Sequence, residues 1–277
     1  MAMKRMHLRH ISILATLALL FCPALLGCSG GADLSVHIPK IGAADCIILQ
    51  QGDYAMVIDT GEEDDGEEIL GLFKEKEIRH LDALILTHFD KDHIGSVEAV
   101  LEAVDVKQIY LPSYEKDSKL YQKAVSALEN CNGTVHYLTA DTEFSLGEMD
   151  VSISVPKGIS DPTNDNNHSL VIRLSYGEKR FLFAGDSEAE RLSELLAEGD
   201  LSCHVLKVPH HGRYNENTEA FLEACGAEKA IITDSDKSPG EAVVINLLMQ
   251  HGAEVYQTRN GDVRIVTNGT NLAVHQD

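Results

Sequence analysis

The chain has 277 residues, a formal charge of −21, 44% hydrophobic residues and no tryptophan. The composition is ordinary for a globular protein and supplies enough Val, Ile and Leu for a large core. So acidic a surface argues against non-specific nucleic-acid binding as the main role, because that binding rests on Lys and Arg against phosphate. Screening acts over about 8 Å at physiological salt, so a local site can still decide its own ligand.

Lys4, Arg5 and Arg9 open the chain, and an apolar run from Ile11 to Leu26 follows, interrupted by Pro23. A charged start, an apolar stretch and small residues at the cut form a secretory signal. The run is barely long enough to span a bilayer, and Pro23 and Cys28 fit a spanning helix poorly. Its ending, Leu25-Leu26-Gly27-Cys28, resembles a bacterial lipoprotein signal. That resemblance implies removal of residues 1–27, a lipid on the Cys28 thiol, and an extracytoplasmic protein anchored to the cell membrane. Residues 28–33 would be the tether, and 34–277 a single domain. Cys46, Cys131, Cys203 and Cys225 remain; no pairing among them is indicated, and buried free thiols suit the sequence equally.

From there strands and helices alternate. Cys46–Gln50 and Tyr54–Ile58 read as a hairpin around Gln51-Gly52-Asp53, the second strand running into Asp59-Thr60-Gly61. An acidic loop, Glu62–Asp65, leads to a helix near Glu67–Lys76, then to a strand at Ala83–Leu86. Val97, Val100, Leu101 and Val104 fall at i, i+3, i+4 and i+7 of a helix. A strand (Gln108–Leu111) and a helix (Lys119–Glu129) follow. Val151–Val155, Leu170–Leu174 and Arg180–Phe183 read as strands, the last two joined at Tyr176-Gly177-Glu178. Ser187 with Glu190 predicts a capping box opening a helix through about Ala197. A strand at His204–Val208, a helix ending near Gly226 and a strand at Ala230–Thr233 come next. Ser238-Pro239-Gly240-Glu241 predicts a second box with Pro at the first helical position. Asn260-Gly261 and Asn268-Gly269 mark turns between the last strands. Two similar halves of this style predict two packed sheets with outer helices.

The chemistry collects where strands end. His88-Phe89-Asp90-Lys91-Asp92-His93 places four candidate ligands in six residues after an apolar strand. Gathering carboxylates and imidazoles there is unfavourable unless something positive compensates them. A pair of divalent cations does so, alternate positions facing one and the adjacent Asp92-His93 pair facing the other. Asp186 ends one later strand, His210-His211-Gly212 another, and Asp59 an earlier one. Polar clusters at the ends of four strands are how such sheets build a site along one edge.

Ile58-Asp59-Thr60-Gly61, Thr87-His88-Phe89-Asp90-Lys91-Asp92-His93-Ile94-Gly95, Ala184-Gly185-Asp186 and Val208-Pro209-His210-His211-Gly212 together resemble the metallo-β-lactamase fold hydrolases, from Leu34 to Thr267. Within them the His-x-Asp-x-Asp-His form, Asn166-Asn167-His168-Ser169-Leu170-Val171 and Lys207-Val208-Pro209-His210-His211-Gly212 are most similar to the hydrolase domain of ComEC-type DNA-uptake proteins and its stand-alone relatives. The resemblance implies an α/β (α+β) fold, a four-layer αββα sandwich of two mixed β-sheets with outer helices. The multi-helix channel of ComEC proteins is absent, so hydrolysis is implied and transport is not. The family's third-motif histidine is also absent, that loop reading Asn164-Asp165-Asn166-Asn167-His168, and Arg213 replaces a small hydroxyl residue.

By the resemblance, His88 and Asp90 bind one ion, with Asp165 and His168 as candidates for its remaining ligand. Asp92, His93 and His211 bind the other, and Asp186 bridges. His211 rather than His210 holds the family's Pro-x-His-Gly position. His210 is then the candidate acid for the leaving group. Glu188 resembles an acid of secreted phosphodiesterases of this fold, and Asp92 completes the candidate catalytic set. Asp59 would orient a ligand from behind. Lys91, Lys207 and Arg213 flank the motifs as candidate phosphate contacts. Two divalent ions, zinc or manganese, would acidify a shared water, and Asp90 tilts the choice towards manganese. The implied substrate is a phosphodiester, DNA among them, with no protein partner indicated. The competing readings are a β-lactamase, a phosphorylcholine esterase-like cell-wall enzyme, and a metal-free binding lipoprotein. The single Asp-Thr-Gly, with no second copy, argues against an aspartic protease.

Overall fold

A computed structural model describes residues 31–277. Residues 1–30, which include the stretch read as a signal and Cys28, lie outside the described residues. In chain order the elements are strands β1 (Leu34–Ile38), β2 (Ile47–Gln51) and β3 (Tyr54–Ile58), helix α1 (Gly66–Glu75) and strand β4 (His80–Ile85). Helices α2 (Lys91–Ile94) and α3 (Val97–Ala103), strand β5 (Asp105–Pro112), helix α4 (Lys119–Asn130) and strand β6 (Thr134–Leu138) follow. Then come β7 (Thr142–Leu146), β8 (Met149–Ser154), β9 (Val171–Tyr176), β10 (Lys179–Phe183), α5 (Ala189–Glu198) and β11 (Val205–Lys207). The chain closes with α6 (Thr218–Cys225), β12 (Lys229–Ile232), α7 (Ala242–Gln250), β13 (Glu254–Gln257), β14 (Val263–Thr267) and β15 (Leu272–Gln276).

The strands form two mixed sheets, ordered β15-β14-β1-β2-β3-β4-β5-β6 and β13-β12-β11-β10-β9-β8-β7. Side chains alternate across each strand, and here both faces are covered. Ile47, Leu49, Met56 and Ile58 point into the core between the sheets, with Ile153, Ile172, Phe181 and Phe183 opposite. Their neighbours Ile48 and Val57 face outward against Ile69, Phe73, Val97 and Leu128 of the helices. Leu182, Leu206 and Ile232 do the same under Leu192, Leu195, Phe221 and Val244. The result is the αββα sandwich expected from the sequence.

The halves are not separate, however. The β14–β15 hairpin leaves the second half and joins the first sheet, Ile265 pairing with Val36 of β1. Strands β1, β6 and β7 had no reading in the sequence. β1 lies inside its sheet but has Ser35 and His37 among its five residues, while β7 at the edge of its sheet alternates half-buried with exposed residues. Short polar edges such as β6 and β7 carry little apolar signal.

Both capping boxes are corrected. Helix α5 starts at Ala189 with Glu188 before it, while Ser187 Oγ donates to Ala184 O at 2.6 Å. Glu190 instead accepts from Ser160 N at 2.9 Å. Helix α7 starts only after Glu241, and Ser238 closes a turn with Ser235, so Pro239 precedes the helix. The helix ending near Gly226 is as expected, with Gly226 at φ 51° taking the left-handed position. The four cysteines in this region are free thiols. Among the described residues no helix is long and apolar enough to cross a membrane.

Candidate metal centre

Strands β3 and β4 are parallel neighbours, Ile58 opposite Ile85, and so are β10 and β11, Phe183 opposite Lys207. Their C-terminal ends therefore deliver Asp59, the Thr87–His93 loop, Asp186 and the His210-His211 turn to one place. The backbone is bent there against its preference. Asp59, His210 and His211 hold φ of 58°, 47° and 51°. Left-handed conformations of this kind cost on the order of 1–3 kcal/mol each and cluster at functional sites. Gly185, at φ 54°, has Ser169 Cβ only 3.0 Å from where a side chain would begin. Gly95 is more constrained still, since a Cβ would lie 2.2 Å from the Glu62 backbone.

Asp92, His93, Asp186 and His211 bring four ligand atoms within 4.8 Å of one another. His93 Nε2 lies 3.3 Å from Asp186 Oδ2. His211 Nε2 lies 3.2 Å from that oxygen and 3.3 Å from Asp92 Oδ2. The far side of each imidazole is tied down. His93 Nδ1 donates to Asp59 Oδ2 at 2.8 Å, and His211 Nδ1 to Thr233 O at 2.8 Å. Asp59 is itself fixed by Thr87, whose N and Oγ1 both donate to it at 2.7 Å. With Nδ1 donating on the far side, Nε2 is the nitrogen that either donates its own proton to the carboxylates or gives up that proton and turns a lone pair to a cation.

The Nε2 atoms of His88, His93 and His211 and Oδ1 of Asp186 are buried without a hydrogen-bond partner. Orphaned buried polar atoms are rare because their desolvation is uncompensated. A cation among them removes the anomaly, so the residues fit a divalent ion. Burial, the largest influence on Asp186, raises its pKa, but His211, His93 and Lys207 together hold it well below the usual carboxylate range. On His211 burial pushes downward, yet Asp186 and Asp92 outweigh it and raise the imidazole to about 9. The site attracts positive charge from either source.

The donors expected for a second ion are less complete. His88 is fully buried, with Nε2 3.6 Å from Asp90 Oδ2. The second oxygen of Asp90 is taken by the Lys116 ammonium, which also pairs with Asp165. His168 stacks on Tyr114 with ring centroids 4.5 Å apart. Among the described residues, neither Asp165 nor His168 forms a compact three-donor group with His88 and Asp90.

Glu188 and His210 come together as the sequence could not foretell. Glu188 accepts from Asn164 Nδ2 at 2.8 Å and Asn166 Nδ2 at 2.9 Å, and lies 3.1 Å from His210 Nδ1. His210 is the chief cause holding the Glu188 carboxyl down at about 2. A cleft of about 740 Å³ opens beside them, lined by Asp92, His210 and His211 and by Lys91 and Arg213. Lys91 is exposed and pairs with Glu62 at 2.7 Å; Arg213 donates to Ser238 Oγ at 2.6 Å. Lys207 is a correction. It is fully buried, paired with Asp45, and donates to Gly185 O at 3.2 Å, so no substrate reaches it. Its ammonium sits 3.5 Å from Asp186 Oδ1 and stabilises the carboxylates from below.

Asp45 and Lys116 went unread. Asp45 is buried and accepts from Thr233 Oγ1 at 2.6 Å, joining the His211 anchor to Lys207. A lysine inside the apolar stretch Val205–Val208 was the one available signal that a buried carboxylate awaited it. Nothing in the polar loop around Lys116 marked it.

Residues 40–232 match the family model described as the Metallo-beta-lactamase superfamily. ComE operon protein 3 of Bacillus subtilis (strain 168) is 30% identical over 206 residues, 72% of this chain and 26% of that protein. Competence protein ComA of Neisseria gonorrhoeae is 27% identical over 190 residues, 65% of this chain and 24% of that protein. The chain thus spans about a quarter of the length of these two relatives. Among solved structures, the metallo-beta-lactamase fold protein YhfI from Bacillus subtilis superposes with a TM-score of 0.54 at 17% identity, over 81% of this chain and 96% of that one. That likeness concerns the fold alone.

Proposed function

Because the chain belongs to the metallo-β-lactamase superfamily, we propose that it is a metal-dependent hydrolase of phosphodiesters. The observation that carries this reading is the set of buried donors without partners at the floor of the cleft. Bound zinc or manganese supplies Lewis acidity and a water acidified towards neutral pH. Asp92, His93, Asp186 and His211 would hold the ion, and His88 and Asp90 mark the second cation position. The chain's own groups do the rest. Asp59 and the Thr233 carbonyl lock two imidazoles in the ligating tautomer. His210, held through Nδ1 against Glu188, is placed to give a proton from its other nitrogen to a leaving oxygen. Lys91 and Arg213 on the cleft wall offset the charge of a phosphate, which an acidic protein otherwise repels. The relatives named for competence support a nucleic-acid phosphodiester. The proposal includes export and a lipid on Cys28.

A substrate panel on metal-loaded protein tests this: single- and double-stranded DNA, bis-p-nitrophenyl phosphate, nitrocefin and phosphorylcholine esters. Metal-dependent turnover of the phosphodiesters is the expected outcome. Turnover of nitrocefin alone, or of phosphorylcholine esters alone, moves the protein to another substrate class. No turnover with any substrate and no bound ion would leave a binding lipoprotein.

A further inference from the structure

We infer that Lys116 occupies the second cation position itself. Its ammonium, held between Asp90 and Asp165, stands in for one ion of a two-ion centre, so that the chain binds one divalent ion tightly and a second only by displacing the lysine. This rests on the reading above that Asp92, His93, Asp186 and His211 hold an ion.

Three features carry it. The first is the double ion pair: Lys116 Nζ engages Asp90, the carboxylate beside His88, and Asp165 at once. One ammonium thereby collects the negative charge that an ion there would need. A divalent ion added beside it meets repulsion at short range, and one replacing it must break both pairs.

The second feature is that the lysine is placed rather than merely nearby. Its loop joins β5 to α4, and it is fastened at both ends of the site. Tyr114 Oη accepts a hydrogen bond from Phe89 N, inside the ligand loop, at 3.0 Å. Phe89 packs on Tyr114 and Tyr121 with ring centroids 4.6 and 4.8 Å apart. Ser118 caps α4 through Tyr121 N at 3.1 Å. These contacts hold Lys116 and the His88–His93 loop as one unit.

The third feature is a missing competitor. His168, which would complete an ion's ligands, is stacked on Tyr114, and no three-donor group with His88 and Asp90 exists among the described residues. The Lys116 side chain is 24% exposed, so it is also open to an anionic substrate oxygen, the task the absent ion would have performed.

Titration of manganese into the chelator-treated protein tests the inference, read by calorimetry and by the electron paramagnetic resonance of the bound ions. The expected result for the native chain is one tight equivalent with an isolated-ion spectrum, a second binding at least about 100-fold more weakly. Lys116→Met should raise the second affinity into the range of the first and produce the spectrum of a coupled pair. Lys116→Arg, which keeps the charge, should retain a single ion. Two ions of similar affinity in the native chain overturn the inference, as does a Lys116→Met chain that is folded and still takes one. No ion in any of the three proteins overturns the hydrolase reading as well, which separates the two failures.

Discussion

His93 donates its Nδ1 proton to Asp59 across 2.8 Å, and this turns its Nε2 towards Asp186, 3.3 Å away. Asp59 reaches no cleft and is fully buried. Its influence on any ion passes through the orientation and basicity of the imidazole. Partners of this kind typically change metal affinity 10–100-fold when altered. Asp59→Asn, isosteric but uncharged, should weaken zinc binding by that factor while circular dichroism stays native. Unchanged affinity in a chelator competition would remove the orienting role.

The neighbouring histidines separate by their partners. His211 is anchored by Thr233 and faces two carboxylates, whereas His210 faces Glu188. His211→Ala should lose the ion and all activity. His210→Ala should keep the ion and lose about 10²–10⁴-fold in rate. That loss should shrink for p-nitrophenolate, a good leaving group that needs little protonation. Equal metal loss in both variants, or a defect indifferent to the leaving group, would deny His210 the acid role.

Lys207 and Asp45 form a fully buried pair beneath the site. Removing one partner strands a buried charge, which typically costs about 3–5 kcal/mol, whereas replacing both by apolar residues is often neutral. Lys207→Met should therefore destabilise the metal-free protein by that amount in urea unfolding. Asp45→Leu combined with Lys207→Met should regain most of it. A single-variant loss below about 1 kcal/mol would mean that the pair is not what holds the floor of the site.

The lipoprotein reading of Cys28 stands on sequence alone. Cys28→Ala should leave an uncleaved precursor that no longer labels with palmitate analogues. Continued labelling would show the Leu25-Leu26-Gly27-Cys28 reading to be wrong.

What was legible in the sequence follows from where free energy is concentrated. Apolar strands such as Ile47–Ile48–Leu49 and the ligand-rich stretch after β4 carry strong local patterns, so the layers and four strand ends were readable. Edge strands β6 and β7 were not, because their half-solvated faces look like loop. The helix starts after Ser187 and Ser238 misled for a different reason: Ser187 turns back to the Ala184 carbonyl and Ser238 accepts from the distant Arg213, so neither hydroxyl is left to cap a helix. Asp45 and Lys116 act through residues 162 and 26 positions away, namely Lys207 with Asp45 and Asp90 with Lys116. Such long-range charge pairing leaves no trace in spacing. Lys207 was noticed but given the wrong task, since a lysine beside a ligand motif reads the same whether it faces substrate or core.

The central claim is that Asp92, His93, Asp186 and His211 hold the catalytic ion. Anomalous diffraction at the zinc and manganese absorption edges from metal-loaded crystals tests it most directly. The account expects a peak bounded by Nε2 of His93, Nε2 of His211 and the carboxylates of Asp92 and Asp186. A loaded crystal with no peak there, or with its strongest peak on other side chains, would contradict it.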